Sequence, residues 1–400
     1  MSEYRKRLRA LFFYIQKRLG FHIMVESVYL HIPFCEQICH YCDFNKVFIQ
    51  NQPVDDYLHA MAAEMKHTVQ RFGARSMKTI YVGGGTPTAL NLQQLEKLFE
   101  SIHAVFSLKE NYEFTIEANP SNVNLEKLAL LKNYGVNRLS IGVQTFHDGL
   151  LKQIGRDHTR KHIYSIIDQA RKSGFENISI DLMYRLPKQT IDMFAQSIDE
   201  ALSLQIEHLS AYGLQIEPKT VFYNQMRRGN LRLPSEDEEA DMFELLINKM
   251  RKNGYLHYEI SNFALPGKES RHNLTYWNNE HYYGIGAGAH SYVDGVRRRN
   301  AGPIHHYINL IAEKKFPYRE EMAVTEQEKM EEELFLGLRK REGVSKRQFY
   351  EKFHRPLDER YGAVIYHFIE KGLLETDGDW IRLTEKGIFL GNEVFQAFLE

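Results

Sequence analysis

Cys35, Cys39 and Cys42 are the only cysteines in a chain of 400 residues, and all three fall in one short stretch. Thiolates are soft ligands whose number and geometry select the metal. A structural zinc site takes four nitrogen or sulfur ligands, and an iron–sulfur cluster is ordinarily held by four thiolates. Three thiolates on one compact loop can cap three corners of a cubane [4Fe–4S] cluster and leave one iron free for another ligand. Two alternatives stand beside that reading: a Cys3His zinc site completed by His31 or His40, and a buried cluster of inert thiols. The Pro, Glu, Gln and His residues around Cys35 and Cys39 disfavour the second. A disulfide framework fails on the odd count and on the absence of a secretory signal.

The elements around this stretch follow an alternating order. Strand-like runs fall at Ser27–His31, Thr79–Val82, Phe114–Glu117, Arg138–Gly142, Ile178–Leu182 and His208–Leu214. Helical patterns lie between them near 55–72, 91–106, 124–134, 159–173 and 190–203. Gly73, Gly135 and Gly174 stand where helix C-terminal caps are expected. Strands alternating with helices predict a parallel sheet. Six such units are too few for a closed eight-stranded barrel, so the expected α/β fold is a partial (β/α)6 TIM-like barrel. Its site lies at the C-terminal ends of the strands. The cysteine loop follows the first strand.

Four regions are expected. Residues 1–25 form a basic amphipathic extension, read either as a segment ahead of the fold or as a membrane-surface helix. It is too interrupted by charge for a signal peptide or a membrane span. Residues 26–220 are the core. Residues 221–320 extend it, with a helix from Glu236 to Lys252 and a Gly-rich run, Tyr283-Gly-Ile-Gly-Ala-Gly-Ala-His290. Residues 321–400 read as three helices, a hairpin turning on Asp377-Gly378 and a last helix, a small winged-helix-like α+β domain. Such domains often bind DNA, but a net charge of −1 and the lack of a basic recognition stripe argue against a nucleic-acid partner. The few cysteines suggest a reducing, cytoplasmic setting.

Polar residues cluster at strand ends. Gly83-Gly-Gly-Thr-Pro87 follows the second strand, and three glycines let backbone N–H groups approach a ligand. Glu117 closes the third strand, Gln144 follows the fourth, Arg156 sits in the next connection and Asp181 ends the fifth. Strand-end capping is the bland alternative for each alone. Together they suit a ligand carrying ribose hydroxyls, an amine and a carboxylate. His272-Asn-Leu-Thr-Tyr-Trp277 adds an imidazole and two aromatic rings, a set able to ligate iron and stack on a porphyrin. An ordinary core histidine is the plain reading of His272. His281, His290 and the pair His305-His306 are further candidate ligands.

The CxxxCxxC spacing, with Tyr41 before the last cysteine, resembles the radical S-adenosylmethionine superfamily. The resemblance implies that S-adenosylmethionine chelates the free iron of a [4Fe–4S] cluster held by Cys35, Cys39 and Cys42, and that reduction cleaves it to a 5′-deoxyadenosyl radical. Tyr29-Leu-His-Ile-Pro-Phe-Cys35, Gly83-Gly-Gly-Thr-Pro-Thr88, Glu117-Ala-Asn-Pro120, Gly142-Val-Gln-Thr-Phe146, Gly155-Arg-Asp-His158 and Asp181-Leu-Met-Tyr184 narrow it to the oxygen-independent coproporphyrinogen III oxidase-like branch. The match runs from Ser27 to about Glu400. It places cofactor contacts on Tyr29, Tyr41, Gly84, Gly85, Thr86, Glu117, Gln144, Arg156 and Asp181, with Tyr29 over the cluster. The oxidases carry CxxxCxxCGC, where this chain has Asp43-Phe44, and a longer N-terminal arm. Asp43-Phe44 is instead the pattern of HemW-type haem chaperones, whose HNxxYW motif, implicated in haem binding, maps to His272, Asn273, Tyr276 and Trp277. The resemblance thus implies haem as ligand, haem-acceptor partners including membrane respiratory haemoproteins, and a homodimer. The second expectation is oxidative decarboxylation of coproporphyrinogen III; a third is radical methylation or ring opening of haem.

Overall fold

The computed structural model describes residues 25–399. The expected helix over residues 1–24 lies outside them. The strands are β1 (Ser27–Ile32), β2 (Phe34–Cys35), β3 (Val47–Phe48), β4 (Ser76–Gly84), β5 (Ser107–Ala118), β6 (Arg138–Gln144), β7 (Ile178–Tyr184), β8 (His208–Gly213), β9 (Leu256–Glu259), β10 (Asn262–Ala264) and β11 (Tyr283–Ile285). There follow β12 (His290–Val293), β13 (Val296–Asn300), β14 (Tyr318–Ala323), β15 (Val344–Ser345), β16 (Leu374–Asp377) and β17 (Trp380–Leu383). The central sheet runs β11-β1-β4-β5-β6-β7-β8-β10-β9. It is parallel from β11 to β8 and antiparallel at β10 and β9.

The six expected strands are β1 and β4–β8. They pair in chain order, each joined to the next through helical segments that include Val54–Phe72, Leu92–Val105, Leu125–Asn133, Arg160–Lys172 and Ile191–Ser203. The sheet is nonetheless wider than expected. The Gly-rich run supplies β11, which pairs with β1 on its outer edge. A glycine run has no alternation to announce a strand, but it has a packing reason. A Cβ on Gly284 would lie 1.8 Å from the His290 carbonyl oxygen, so only glycine lets β12 lie against β11.

Alternation sorts the side chains. Val28, Leu30, Ile32, Ile80, Val82, Phe114, Ile116, Leu139, Ile141, Ile178, Ile180 and Leu182 are fully buried in the hydrophobic core. Side chains two apart share a face of a strand. The residues that alternate with them line the other face, among them Tyr29, Tyr81, Glu117, Ser140 and Asp181, and on β8 Ser210 between the buried Leu209 and Ala211. One face of each strand packs the core and the other carries polar chemistry.

The C-terminal region contains the three-stranded sheet β15-β17-β16, with helices Glu326–Gly337, Lys346–Phe353 and Leu357–Glu370 and two short helices after β17. Thr325 and Glu328 form a capping box that starts the first of these. Glu236–Lys252 is a helix as expected, opened by the Ser235–Glu238 box. No helix among the described residues is long and apolar enough to cross a membrane.

Glu64, 1% exposed, fixes the edge of the sheet. Its carboxylate accepts from the Gly286 N–H at 2.8 Å, Asn300 Nδ2 at 2.7 Å and the Tyr307 hydroxyl at 2.5 Å. Burial raises its pKa from 4.5 to about 7 in spite of these donors. The folded state thus holds this proton more tightly than the unfolded chain does. Its contribution to stability is fully present below about pH 4.5 and declines as pH rises to about 7. Glu64→Gln keeps the shape and removes the titration. In urea unfolding it should flatten the loss of stability across that window by an amount on the order of 1–3 kcal/mol; an unchanged pH profile would contradict this role.

Candidate functional site

The cysteine loop leaves β1 through β2 and returns through β3, with Phe34 opposite Val47. Cys35 is buried, and Cys39 and Cys42 are half-buried. All three line one cavity of about 260 Å³. Gly85 makes room beside them, since a Cβ there would stand 2.8 Å from Cys35 Sγ and 2.9 Å from the Phe34 carbonyl oxygen. Thr86 Oγ1 lies 3.6 Å from Cys35 Sγ, and Arg156 Nη1 lies 3.4 Å from Cys39 Sγ. Burial pushes the Cys35 thiol up to about 11 and raises Cys42. Metal coordination would deprotonate such thiols.

Among the described residues no three His, Cys, Asp or Glu groups sit together as a ligand set for a single metal ion. Of the histidines of the zinc reading, His31 has both ring nitrogens engaged and His40 has one. The His31 ring donates through Nε2 to the Asn45 carbonyl at 2.8 Å and pairs through Nδ1 with the Tyr29 hydroxyl at 2.9 Å. His40 pairs through Nδ1 with the Gln153 carbonyl at 2.9 Å. Three thiols around one cavity, with a glycine clearing space beside them, fit a cluster better than one ion.

The same cavity gathers Tyr41, Gly84, Gly85, Thr86, Glu117, Gln144, Arg156 and Asp181. Glu117 accepts from the Tyr81 hydroxyl at 2.9 Å and the Gly84 N–H at 3.0 Å. A Cβ on Gly83 would strike Glu117 at 2.8 Å, and Gly84 has a φ of 122°, so both positions require glycine. Burial, with Asp181 adding to it, raises Glu117 to about 7. Burial also raises Asp181, which accepts from the Ser140 hydroxyl at 3.3 Å. Gln144 is left-handed at φ 67°, beside an irregularity in the β6–β7 register, an outlier of the kind found at ligand sites. Arg156 Nη2 donates to the Gly142 carbonyl at 2.5 Å, while its buried Nε has no partner among the described residues. Tyr29 lines a second, larger cavity.

That second cavity is about 1150 Å³ and shares Phe44, Lys46, Gly84 and Glu117 with the first. Asp43 and Phe44 both line it, and Phe44 is 65% exposed. The HNxxYW residues divide. Tyr276 and Trp277 line the larger cavity and Asn273 the smaller. His272 lines neither. It is 1% exposed, stacked on Tyr81, and both ring nitrogens are bonded, Nδ1 to Thr79 Oγ1 at 2.7 Å and Nε2 to the Tyr276 hydroxyl at 2.8 Å. Burial and Arg138 lower its pKa to about 3. In this geometry the imidazole orients Tyr276 and offers no nitrogen to an iron. Of the other candidate histidines, His290 lines the larger cavity, while His281, His305 and His306 line neither.

Several lining residues were not singled out from the sequence, among them Tyr81, Asn119, Arg138, Ser140, Ser210 and Tyr212. Tyr81, Arg138, Ser140, Ser210 and Tyr212 occupy inner-face positions of strands already expected, so period-two alternation carried their signal. Asn119 follows β5 directly.

Two substitutions test the loop. Cys39→Ala should lose the broad visible absorption of an iron–sulfur cluster after anaerobic reconstitution, and full iron and sulfide content would refute the ligand set. Gly85→Ala should lose most of it too, whereas Gly149→Ala, where a Cβ meets nothing within 4 Å, should keep it. Equal cluster content in both glycine variants would contradict the packing argument.

Residues 29–201 match the Radical SAM superfamily and residues 324–390 the HemN C-terminal domain. The heme chaperone HemW of Bacillus subtilis is 54% identical over 376 residues, 94% of this chain and 99% of the relative. That of Lactococcus lactis is 48% identical over 93% of this chain and 97% of its own length. The solved coproporphyrinogen III oxidase HemN of Escherichia coli, a radical SAM enzyme, superposes with a TM-score of 0.84 at 25% identity, over 96% of this chain and 92% of that one. With two cavities meeting at the cysteine loop and relatives matched almost end to end, this chain belongs to the HemW family of the radical S-adenosylmethionine superfamily.

Proposed function

We propose that the protein is a haem chaperone. It binds haem in the larger cavity, holds a [4Fe–4S] cluster on Cys35, Cys39 and Cys42 with S-adenosylmethionine beside it, and passes haem to acceptor proteins. The observation that carries this reading is the cavity of about 1150 Å³ that opens against the cluster loop. It exceeds the ~300–1,000 Å³ of typical small-molecule sites, and Phe44, Tyr276 and Trp277 supply ring faces for a porphyrin. The names of the relatives, heme chaperones, support it.

When bound, the cluster and S-adenosylmethionine supply one-electron chemistry. The chain's own groups bind and orient. Glu117 and Asp181 suit ribose hydroxyls, Arg156 suits a carboxylate, and the Gly84–Thr86 backbone suits an amine. The acceptors include membrane respiratory haemoproteins, reached from the cytoplasm, and the working form is a homodimer.

Hemin titration of the reconstituted protein should give a saturable Soret shift, and no shift would end the haem reading. Phe44→Ala should leave stability within about 0.5 kcal/mol, as Phe44 is exposed. It should weaken haem binding by ~1 kcal/mol, about fivefold in Kd. The likeness to HemN favours one other reading, porphyrinogen decarboxylation. An anaerobic assay with reductant, S-adenosylmethionine and coproporphyrinogen III separates the two: product coupled to 5′-deoxyadenosine would establish the enzyme, and none is expected.

A further inference from the structure

The larger cavity has a wall with its own order. β12 and β13 pair antiparallel, with His290 opposite Arg299 and Tyr292 opposite Arg297. Directly opposite residues on an antiparallel pair share a face, and so do residues two apart. His290, Tyr292, Arg297 and Arg299 therefore form one patch, and all four line the cavity. Ser291 and Arg298, on the other face, do not line it.

The patch is chemically uneven. Arg297 is spent, paired with Glu332 at 2.8 Å and stacked 4.6 Å over the Tyr292 ring. Arg299 reaches Glu320 through Nη2, but its buried Nε has no partner among the described residues. Arg319, next to Glu320 on β14, also lines the cavity and has no ion-pair or hydrogen-bond partner among the described residues. Among the described residues, His31 and His290 are the two histidines that line the cavity. His31 has both nitrogens engaged, whereas the exposed His290 ring makes no hydrogen bond among the described residues. A neutral imidazole with a free nitrogen is a good iron ligand. Partial desolvation and the neighbouring Arg299 lower the His290 pKa, a direction that favours the neutral ring.

We infer that His290 is the axial ligand to the iron of the bound haem, with Arg299 and Arg319 taking its propionate carboxylates, an inference that rests on the haem reading above. The iron ligand and one anion partner then come from a single cross-strand pair, and Arg319 adds a second cation from the next strand. The ring faces of Tyr276, Trp277 and Phe44 belong to other elements of the same cavity. His272 is a positioning residue, acting through the Tyr276 hydroxyl.

The test is a titration of the reconstituted protein and its H290A, H290M, H272A and R299A/R319A variants with hemin and, separately, with metal-free protoporphyrin IX. Far-UV spectra and iron and sulfide content serve as folding controls. Loss of the ligand should cost at least about tenfold in hemin affinity, the lower bound seen for groups that merely orient a ligand. H290A should therefore move the Soret maximum and bind hemin at least about tenfold more weakly, yet bind metal-free protoporphyrin within about twofold of wild type. H290M should change the spectrum again, and H272A should keep the wild-type spectrum. R299A/R319A should weaken both porphyrins alike. A wild-type spectrum in H290A or H290M, or an equal loss of both porphyrins in H290A, would overturn the ligand assignment while leaving the haem reading intact. Failure of the wild-type protein to bind hemin would instead overturn the haem reading itself.

Discussion

Asn45 holds the cysteine loop to the rest of the molecule. Its side-chain Nδ2 donates to the Ala287 and Gly302 carbonyls at 2.8 and 3.0 Å, and its own carbonyl accepts from His31. Gly288 permits this contact, since a Cβ there would stand 2.7 Å from Asn45 Nδ2. The glycine run is in turn fixed by Glu64 through Gly286, and the Tyr57 hydroxyl donates to the His31 carbonyl at 2.7 Å. Buried polar networks of this kind are strong only when complete. The two cavities meet where this network ends, so the shape of both depends on a loop pinned three residues beyond Cys42.

The sheet explains how one scaffold presents two unlike surfaces. Each strand gives its alternate apolar residues to the helices and the others to the interior. Depth then sorts the chemistry. Glu117, Asp181 and Arg156 lie deep, where the carboxyl groups hold their protons tightly. The larger cavity is walled by aromatic rings and by arginines on a separate three-stranded sheet, β12-β13-β14. That sheet is attached through the glycine run. Local choices there, Gly284 above all, set how closely the arginine wall approaches the cluster loop.

Much of this was legible in the sequence. The six core strands, their helices and the Glu236–Lys252 helix follow from alternation, helical periodicity and caps, all local signals. Cys35, Cys39 and Cys42 and the strand-end residues Glu117, Gln144 and Asp181 were readable because a βα sheet collects strand ends at one edge. What was hidden depends on distant pairing. β11 carries no alternation and exists because Gly284 and Gly286 accept neighbours that any Cβ would exclude. The HNxxYW motif names His272, yet residues far away in the chain, Thr79 and Tyr81, bury its ring. His290 was one of several candidate histidines in the sequence, and only its register against Arg299 sets it apart from His281, His305 and His306.

The central claim is that porphyrin and cluster sites adjoin, sharing a wall of Phe44, Lys46, Gly84 and Glu117. Fluorescence lifetime of bound zinc protoporphyrin tests it most directly, in protein with the reconstituted cluster and in the same protein without it. The account predicts a strongly shortened lifetime when the cluster is present, because a broadly absorbing cluster quenches a neighbouring fluorophore. Equal lifetimes in the two forms, at equal zinc protoporphyrin occupancy, would contradict it.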